Sequence, residues 1–309
     1  MPKLLTLLLF ASSPLFGWWC EGHEVVALIA GKHLTANART AISRLLNNYR
    51  PDPPQHFCKE NSTDPMAVAS TWADDIRKED RTGRWHYMDI PLGLKKGDPE
   101  AYCEPIGPSL NGGDRPGCIL SALRSSVNIL QSDKESEDEK ARALRFLIHL
   151  VGDLHQPLHT TSNNDQGGNC TSVQFLSNPK ITNLHSVWDG MIVNEDLATS
   201  RRALAQMAAD LDQQYESKSA RWIEQGPRFA KWAWEGHLLA QKLVYGQLEP
   251  KLPVEPDPPR LNCKVEAEAS GTPRVRIGPA YVSTATRVIE EQLAKAGYRL
   301  AEILNDIWS

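Results

Sequence analysis

The sequence predicts a single, mainly α-helical domain with one short β-hairpin. Three observations carry that expectation. Apolar residues recur at helical spacing through most of the 309 residues. The stretch 249–259 holds five prolines, which ends helix formation there. No internal repeat and no clear linker divides the chain.

The elements follow in order. Residues 24–34 carry Val25, Val26, Leu28, Ile29 and Ala30 on a broad apolar stripe. Thr35 can cap a second helix, with Ala41, Ile42, Leu45 and Leu46 at helical spacing. Further helices are expected over 66–77, 119–130 and 135–154. The acidic run 135–139 reads as a solvated helix start, where negative charge favours the dipole. The second half offers helices over 197–215, 228–245 and 281–308. Residues 264–277 read as the hairpin, with Val265 and Val275 strand-like and Gly271-Thr272-Pro273 as its turn.

Composition narrows the class. Hydrophobic residues at 41% and charged residues at 23% exclude a wholly disordered chain. The net charge is −4, so side-chain charge alone would not hold DNA. Residues 1–17 read as a secretory signal: Lys3 gives the positive start and 4–10 is apolar apart from Thr6. Gly17 suits the last signal position, although Leu15 is larger than the usual small residue. No later run of about 18 apolar residues would anchor the chain in a membrane. The expected product is a secreted or periplasmic domain, 18–309, beginning at Trp18. Export permits disulfides among Cys20, Cys58, Cys103, Cys118, Cys170 and Cys263, and the sequence alone does not choose the pairing. None forms a Cys-x-x-Cys pair, which argues against a cysteine zinc or redox site. Asn61 and Asn169 begin glycosylation sequons, which matter only in a eukaryotic host.

The chemistry concentrates in five segments. In His149-Leu-Val-Gly-Asp153-Leu-His155-Gln-Pro157-Leu-His159, His149 and Asp153 share one helix face, one turn apart. Pro157 should bend the chain out of the helix, leaving His159 on the following loop. Imidazole and carboxylate together suit zinc. One such pair is common by chance, and a core histidine paired with a carboxylate is the bland alternative. The spacing recurs, however, in His185-Ser-Val-Trp188-Asp189. Asp74 and Arg77 lie one turn apart in Thr71-Trp72-Ala73-Asp74-Asp75-Ile-Arg77. Trp85-His86-Tyr87-Met88-Asp89 adds a histidine, and Trp18-Trp19-Cys20-Glu21-Gly22-His23 another. Together these histidines and aspartates can hold three zinc ions.

These five motifs, in this order, resemble the S1/P1 nuclease family, the zinc-dependent single-strand nucleases of moulds, plants and bacteria. Related bacterial phospholipases C share its fold and metal plan. The resemblance implies a multi-helix phospholipase C/zinc nuclease-like fold, disulfide-stabilised. It implies one zinc on Asp74, His86 and His149, with Asp153 bridging to a second zinc. The second also takes His23 and the terminal amine and carbonyl of Trp18. A third would be held by His159, His185 and Asp189. Three Zn2+ would place positive charge where a phosphate must sit. Arg77 matches a phosphate-contacting arginine, Asp74 and Asp153 lie at the reaction centre, and Tyr87, Asp89 and Asn169 match base-site residues. Gln166 and Met191 depart from the best-known fungal member, so base preference and a second nucleotide site do not carry over. Cys103 with Cys263 resembles a long-range pair of the fungal enzymes, and Cys20 is expected to pair with Cys58.

The implied activity is endonucleolytic hydrolysis of single-stranded DNA and RNA to 5′-phosphate products, with 3′-nucleotidase activity. A monomer is expected. Two alternatives stay open. A zinc phospholipase C would place Glu at the end of the last His-x-x-x motif and more residues between the terminal Trp and first His. A non-catalytic zinc-binding protein would not need Arg77 or a base shelf. His33, His56 and His237 match no motif and read as surface or packing residues. His155 reads as a hydrogen-bonding support rather than a ligand. Trp72, Trp85 and Trp188 are expected as apolar walls beside the metals.

Overall fold

Helix α5, Glu137–Leu154, runs through the middle of the molecule. A computed structural model describes residues 18–48, 57–58, 62–109, 112–223, 226–254 and 274–309. Ser136 caps α5: its hydroxyl accepts from the Glu139 amide at 3.2 Å, while the Glu139 carboxylate accepts from the Ser136 amide at 3.1 Å. That reciprocal cap starts the helix two residues after 135 and leaves the acidic run in its first turn. From Ala143 to the end of α5 every residue is buried, so this half is apolar all round except at Arg145 and where it carries His149 and Asp153.

Around it pack α1 (Cys20–Lys32), α2 (Ala36–Asn48), α3 (Pro65–Ile76), α4 (Ile119–Gln131) and a long C-terminal helix, Pro279–Ile307. Thr35 caps α2 as expected, its hydroxyl accepting from the Ala38 amide at 3.3 Å. Asp64 caps α3 through the amides of Met66 and Ala67, with Pro65 at the first helical position. Helix α1 packs against both α3 and the C-terminal helix, so it is covered on nearly all sides. No helix among the described residues is long and apolar enough to cross a membrane.

The expected helix over 197–215 is two helices. A single turn α6 (Leu184–Ser186) continues through a π-turn, Val187–Met191, into α7, Ile192–Ser200. Arg201 then adopts φ 55°, and α8 starts afresh at Leu204 and runs to Trp222. Arg202 holds this corner by reaching Asp196, Asp210 and Glu290. The expected helix 228–245 is α9, Phe229–Leu239, tightly followed by a second π-turn, Ala240–Val244. The C-terminal helix is α10.

Two small sheets complete the fold. Strand β1 (Ile90–Pro91) lies parallel to β2 (Thr161–Ser162), joining the segments that follow His86 and His159. Strand β3 (Ser172–Phe175) pairs antiparallel with β4 (Ile181–Asn183) and parallel with β5 (Val275–Ile277). Of the expected hairpin, Val275 does lie on a strand: Val275 and Ile277 register with Val173 and Phe175, and all four bury on one face. The rest of that expected hairpin lies outside the described residues.

Cys20 bonds to Cys58. The expected pairing of Cys103 with Cys263 is corrected: Cys103 bonds to Cys118, their Cα atoms 5.2 Å apart. The chain folds back between them, bringing the two cysteines within disulfide reach at a separation of 15 residues. Cys170 is also disulfide-bonded, and Cys263 lies outside the described residues.

Candidate metal centre

Three helix ends meet at one place. The C-terminal end of α3 supplies Asp74 and Arg77, whose guanidinium Nη1 lies 3.7 Å from the Asp74 carboxylate. The last two turns of α5 supply His149 and Asp153, with His149 Nε2 to Asp153 Oδ2 at 3.1 Å. Gln156 stops the chain from continuing: its side-chain oxygen accepts from the Leu158 amide at 2.6 Å, and Pro157 opens a 3-10 turn. That turn aims His159 back into the centre. The α6 turn is capped by Asn183, and its π-turn continuation sets His185 Nε2 3.0 Å from Asp189 Oδ2. His23 enters from α1, its Nε2 3.3 Å from Asp153 Oδ1.

Close approach requires glycine at two points. A Cβ on Gly152 would lie 2.9 Å from His23 Nδ1. One on Gly190 would lie 2.1 Å from the Trp19 ring. Trp18 is wholly buried beside them, its indole donating to the Gly152 carbonyl at 2.9 Å, and the Trp19 amide donates to the Asp189 carbonyl at 2.8 Å.

The residues fall into three groups able to hold a metal ion: His23, Asp74 and His149; His86, His149 and Asp153; and His159, His185 and Asp189. Within each group the candidate donor atoms lie within 4.8 Å of one another. His149 belongs to two of them, so the first two groups adjoin. The donor chemistry fits a borderline-soft divalent cation such as zinc. Orientation supports the fit. Nδ1 of His149 donates to the Ser70 carbonyl at 2.6 Å, that of His159 to the His86 carbonyl at 2.7 Å, and that of His185 to the Gly167 carbonyl at 2.6 Å. Each Nε2 lone pair is thereby turned inward, the usual arrangement of ligating histidines. His23 Nε2, Asp74 Oδ1 and Asp153 Oδ1 are buried without a hydrogen-bond partner. Such atoms carry a desolvation cost that a cation would offset.

Burial and mutual charge set the electrostatics. Burial, with His149 adding to it, lowers the His23 pKa to about 4. Burial also lowers His86, to about 3. Burial raises Asp74 to about 6 despite the opposing pull of His149 and Arg77. For His149, burial is outweighed by Asp153 and Asp74, which raise it to about 9. For His159, Asp153 and Asp189 likewise outweigh burial and raise it to about 9. Asp153 stays ionised well below the usual range: its burial is outweighed by His149 and His159.

A cavity of about 440 Å³ opens over the groups. His86, His159 and His185 line it, with Tyr87, Asp89 and Gln166 on its walls. Asn169 is not among the residues lining it; its amide donates to the Gln166 carbonyl at 2.8 Å and so braces the loop that is. His155 turns away from the centre, as expected. Its Nδ1 donates to the Val151 carbonyl at 2.8 Å, and Arg299 approaches its Nε2 at 3.0 Å. Burial and then Arg299 hold its pKa well below the ordinary value. His33 pairs with Asp212 at 2.6 Å near the surface. His237 is buried and bonded to Thr161 and Leu94. His56 lies outside the described residues. Trp72 and Trp85 both pack on Phe146, and Trp188 is fully buried.

Two supporting residues escaped sequence reasoning. The Gln156 amide donates to Asp189 Oδ1, tying the α5 exit to the third group. Asp165 accepts from the Gly168 amide at 2.9 Å, Thr171 Oγ1 at 2.6 Å and Tyr245 Oη at 2.9 Å. Around it Asn164, Gln166, Gly167 and Gly168 all have positive φ. The only sequence signal for this hub is the Asp-x-Gly-Gly turn pattern, which marks a loop but not its partners.

Adjoining buried His/Asp groups able to hold metal ions, open to a cleft through His86, His159 and His185, are a donor arrangement suited to metal-assisted hydrolysis. The chain belongs to the S1/P1 nuclease family: the sequence model described as S1/P1 Nuclease matches residues 18–309. It is similar to Endonuclease 4 of Arabidopsis thaliana, with 29% identity over 94% of this chain and 89% of the relative. It is similar also to Nuclease S1 of Aspergillus oryzae (27% identity, 100% and 99% coverage). Nuclease P1 of Penicillium citrinum shares 24% identity over 94% of this chain and 97% of its own length.

Proposed function

We propose that this protein is a secreted, trinuclear-zinc nuclease. It hydrolyses single-stranded DNA and RNA to 5′-phosphate products and removes terminal 3′-phosphates. The observation that carries the reading is the convergence of three His/Asp groups beneath a cleft walled by Tyr87 and Asp89. Membership of the nuclease family supports it.

Asp74, His86 and His149 would hold one zinc, and Asp153 would bridge to a second held also by His23. The terminal amine and carbonyl of Trp18 would complete that second site once residues 1–17 are removed. His159, His185 and Asp189 would hold the third. When bound, the zincs supply Lewis-acid chemistry: water activation and neutralisation of charge on phosphate and leaving oxygen.

The chain's own groups do the rest. Arg77, braced by Asp74, offers a planar fork to phosphate oxygens as their charge grows. Asp153 remains ionised under neighbouring histidines and so keeps a negative charge between the two adjoining groups. Tyr87 follows His86 directly, which places a stacking face next to the reaction centre. Asp89 lies on the same wall to accept a hydrogen bond from a base. Asn169 acts by holding the Gln166 loop. Water is the nucleophile, so no covalent intermediate on the protein is needed.

The test uses processed protein with zinc. Single-stranded DNA should be cut far faster than duplex, and a chelator should abolish cleavage. Release of a lipid headgroup without DNA cleavage would replace this reading with a phospholipase. Zinc binding without either activity would replace it with a storage role.

A further inference from the structure

We propose that Tyr102 is a substrate-contacting residue, forming a second stacking platform at the cleft rim. It takes the nucleobase next to the one at Tyr87. This inference rests on the nucleic-acid reading above.

Tyr102 is 36% exposed and is one of four large exposed hydrophobic residues among the described residues. Of the four, it alone lines the cavity. It contributes little to the fold. Among the described residues it makes no side-chain hydrogen bond or ring contact. A large aromatic side chain exposed at the mouth of a cavity invites an explanation.

Its backbone, by contrast, is tightly braced. Tyr102 ends a 3-10 turn, Pro99–Tyr102, in which the Asp98 carboxylate accepts from the Glu100 amide at 3.0 Å. Arg124 grips Glu100 of that turn through two bonds, 2.5 and 2.8 Å. The next residue, Cys103, is bonded to Cys118. The amide after Cys118, that of Ile119, donates to the Tyr87 carbonyl at 3.2 Å. A short covalent and hydrogen-bonded path therefore ties the segment of Tyr102 to that of Tyr87. The two rings come from segments fixed to each other and line one cavity.

With its backbone already braced, Tyr102 has only two side-chain torsions to lose when a flat partner stacks on it, which favours binding. Every nucleobase has such a face, so the platform is sequence-tolerant. Tyr87 is half-buried beside His86, and its base lies over the metal groups. Tyr102 stands at the rim, away from any ligand, and so meets the neighbouring base of a longer strand.

The experiment compares Tyr102→Ala and Tyr102→Phe with wild type, on a single-stranded oligonucleotide and on a 3′-mononucleotide. For Tyr102→Ala, KM on the oligonucleotide should rise about five- to tenfold more than KM on the mononucleotide, the low end for one stacked base. The change should lie in KM rather than kcat, and Tyr102→Phe should restore the wild-type ratio. An equal rise on both substrates, no rise on either, or a larger rise on the mononucleotide would overturn the inference. A wild-type enzyme that cuts neither substrate would instead overturn the nuclease reading, before any variant is compared.

Discussion

The Nδ1 of His159 donates to the backbone carbonyl of His86 at 2.7 Å, across 73 residues of sequence. A candidate ligand of the third group is thus oriented by the backbone of a candidate ligand of the second. His159→Ala removes one donor from the third group and also releases that brace. Bound zinc should fall from three to about two per chain. Activity should fall about a hundredfold or more, the upper range even for a change one shell further out. Metal analysis and single-strand cleavage rates check both.

Gly152 carries a second expectation. A Cβ there would stand 2.9 Å from His23 Nδ1 inside a fully buried turn. Gly152→Ala must push His23 and the helix carrying it away from Asp153. Overpacking of this kind costs about 1–3 kcal/mol. Urea denaturation of the metal-free protein should show that loss, and metal analysis should show weakened binding at the His23 site. Unchanged stability together with full zinc content would contradict the placement.

The loop over the cleft hangs on Asp165. Tyr245 donates to it, and burial and then Asp165 keep that phenol protonated well above its ordinary range. Tyr245→Phe leaves the Asp165 carboxylate buried with one donor fewer, at a cost of about 1–3 kcal/mol. Zinc content should stay at three, because Asp165 belongs to none of the metal groups. KM for single-stranded substrate should rise as the loop loosens. Loss of zinc in that variant would contradict this and show that the Gly167 carbonyl's hold on His185 depends on the Asp165 anchor.

Metal loading should release protons. A ligating imidazole must be neutral. In the metal-free protein His149 and His159 have pKa values raised to about 9, so both are protonated at neutral pH. His23 and His86, lowered to about 4 and about 3, are already neutral. Zinc binding near pH 7 should therefore release about two protons from these histidines, and affinity should rise with pH until about 9. Calorimetry in two buffers of different ionisation enthalpy counts them. Binding without proton release would contradict the charge pattern.

Much of this centre is legible in the sequence because its geometry is local. His149 and Asp153, and His185 and Asp189, sit four residues apart, and helical geometry alone puts each pair on one face. Pro157 marks the α5 exit in the same local way. What the sequence hides is non-local or lacks a marker. Cys103 pairs with Cys118 rather than Cys263 because the chain folds back between them, which no spacing rule reveals. Arg201 ends α7 in a left-handed conformation without glycine or proline to announce it. Strand β5 finds β3 from a hundred residues away in parallel register, a pairing that no local pattern announces. The Gln156–Asp189 and Tyr245–Asp165 contacts depend on tertiary packing, and so does the position of Tyr102.

The most direct test of the account counts zinc per chain in the processed protein and in Asp153→Asn, with single-strand cleavage measured on the same samples. Asp153 stands against His23, His86 and His149 at once. The account predicts three zincs and rapid cleavage in the wild type. In the variant it predicts about one zinc and loss of cleavage. Three zincs retained in Asp153→Asn, or cleavage by zinc-free wild type, would contradict it.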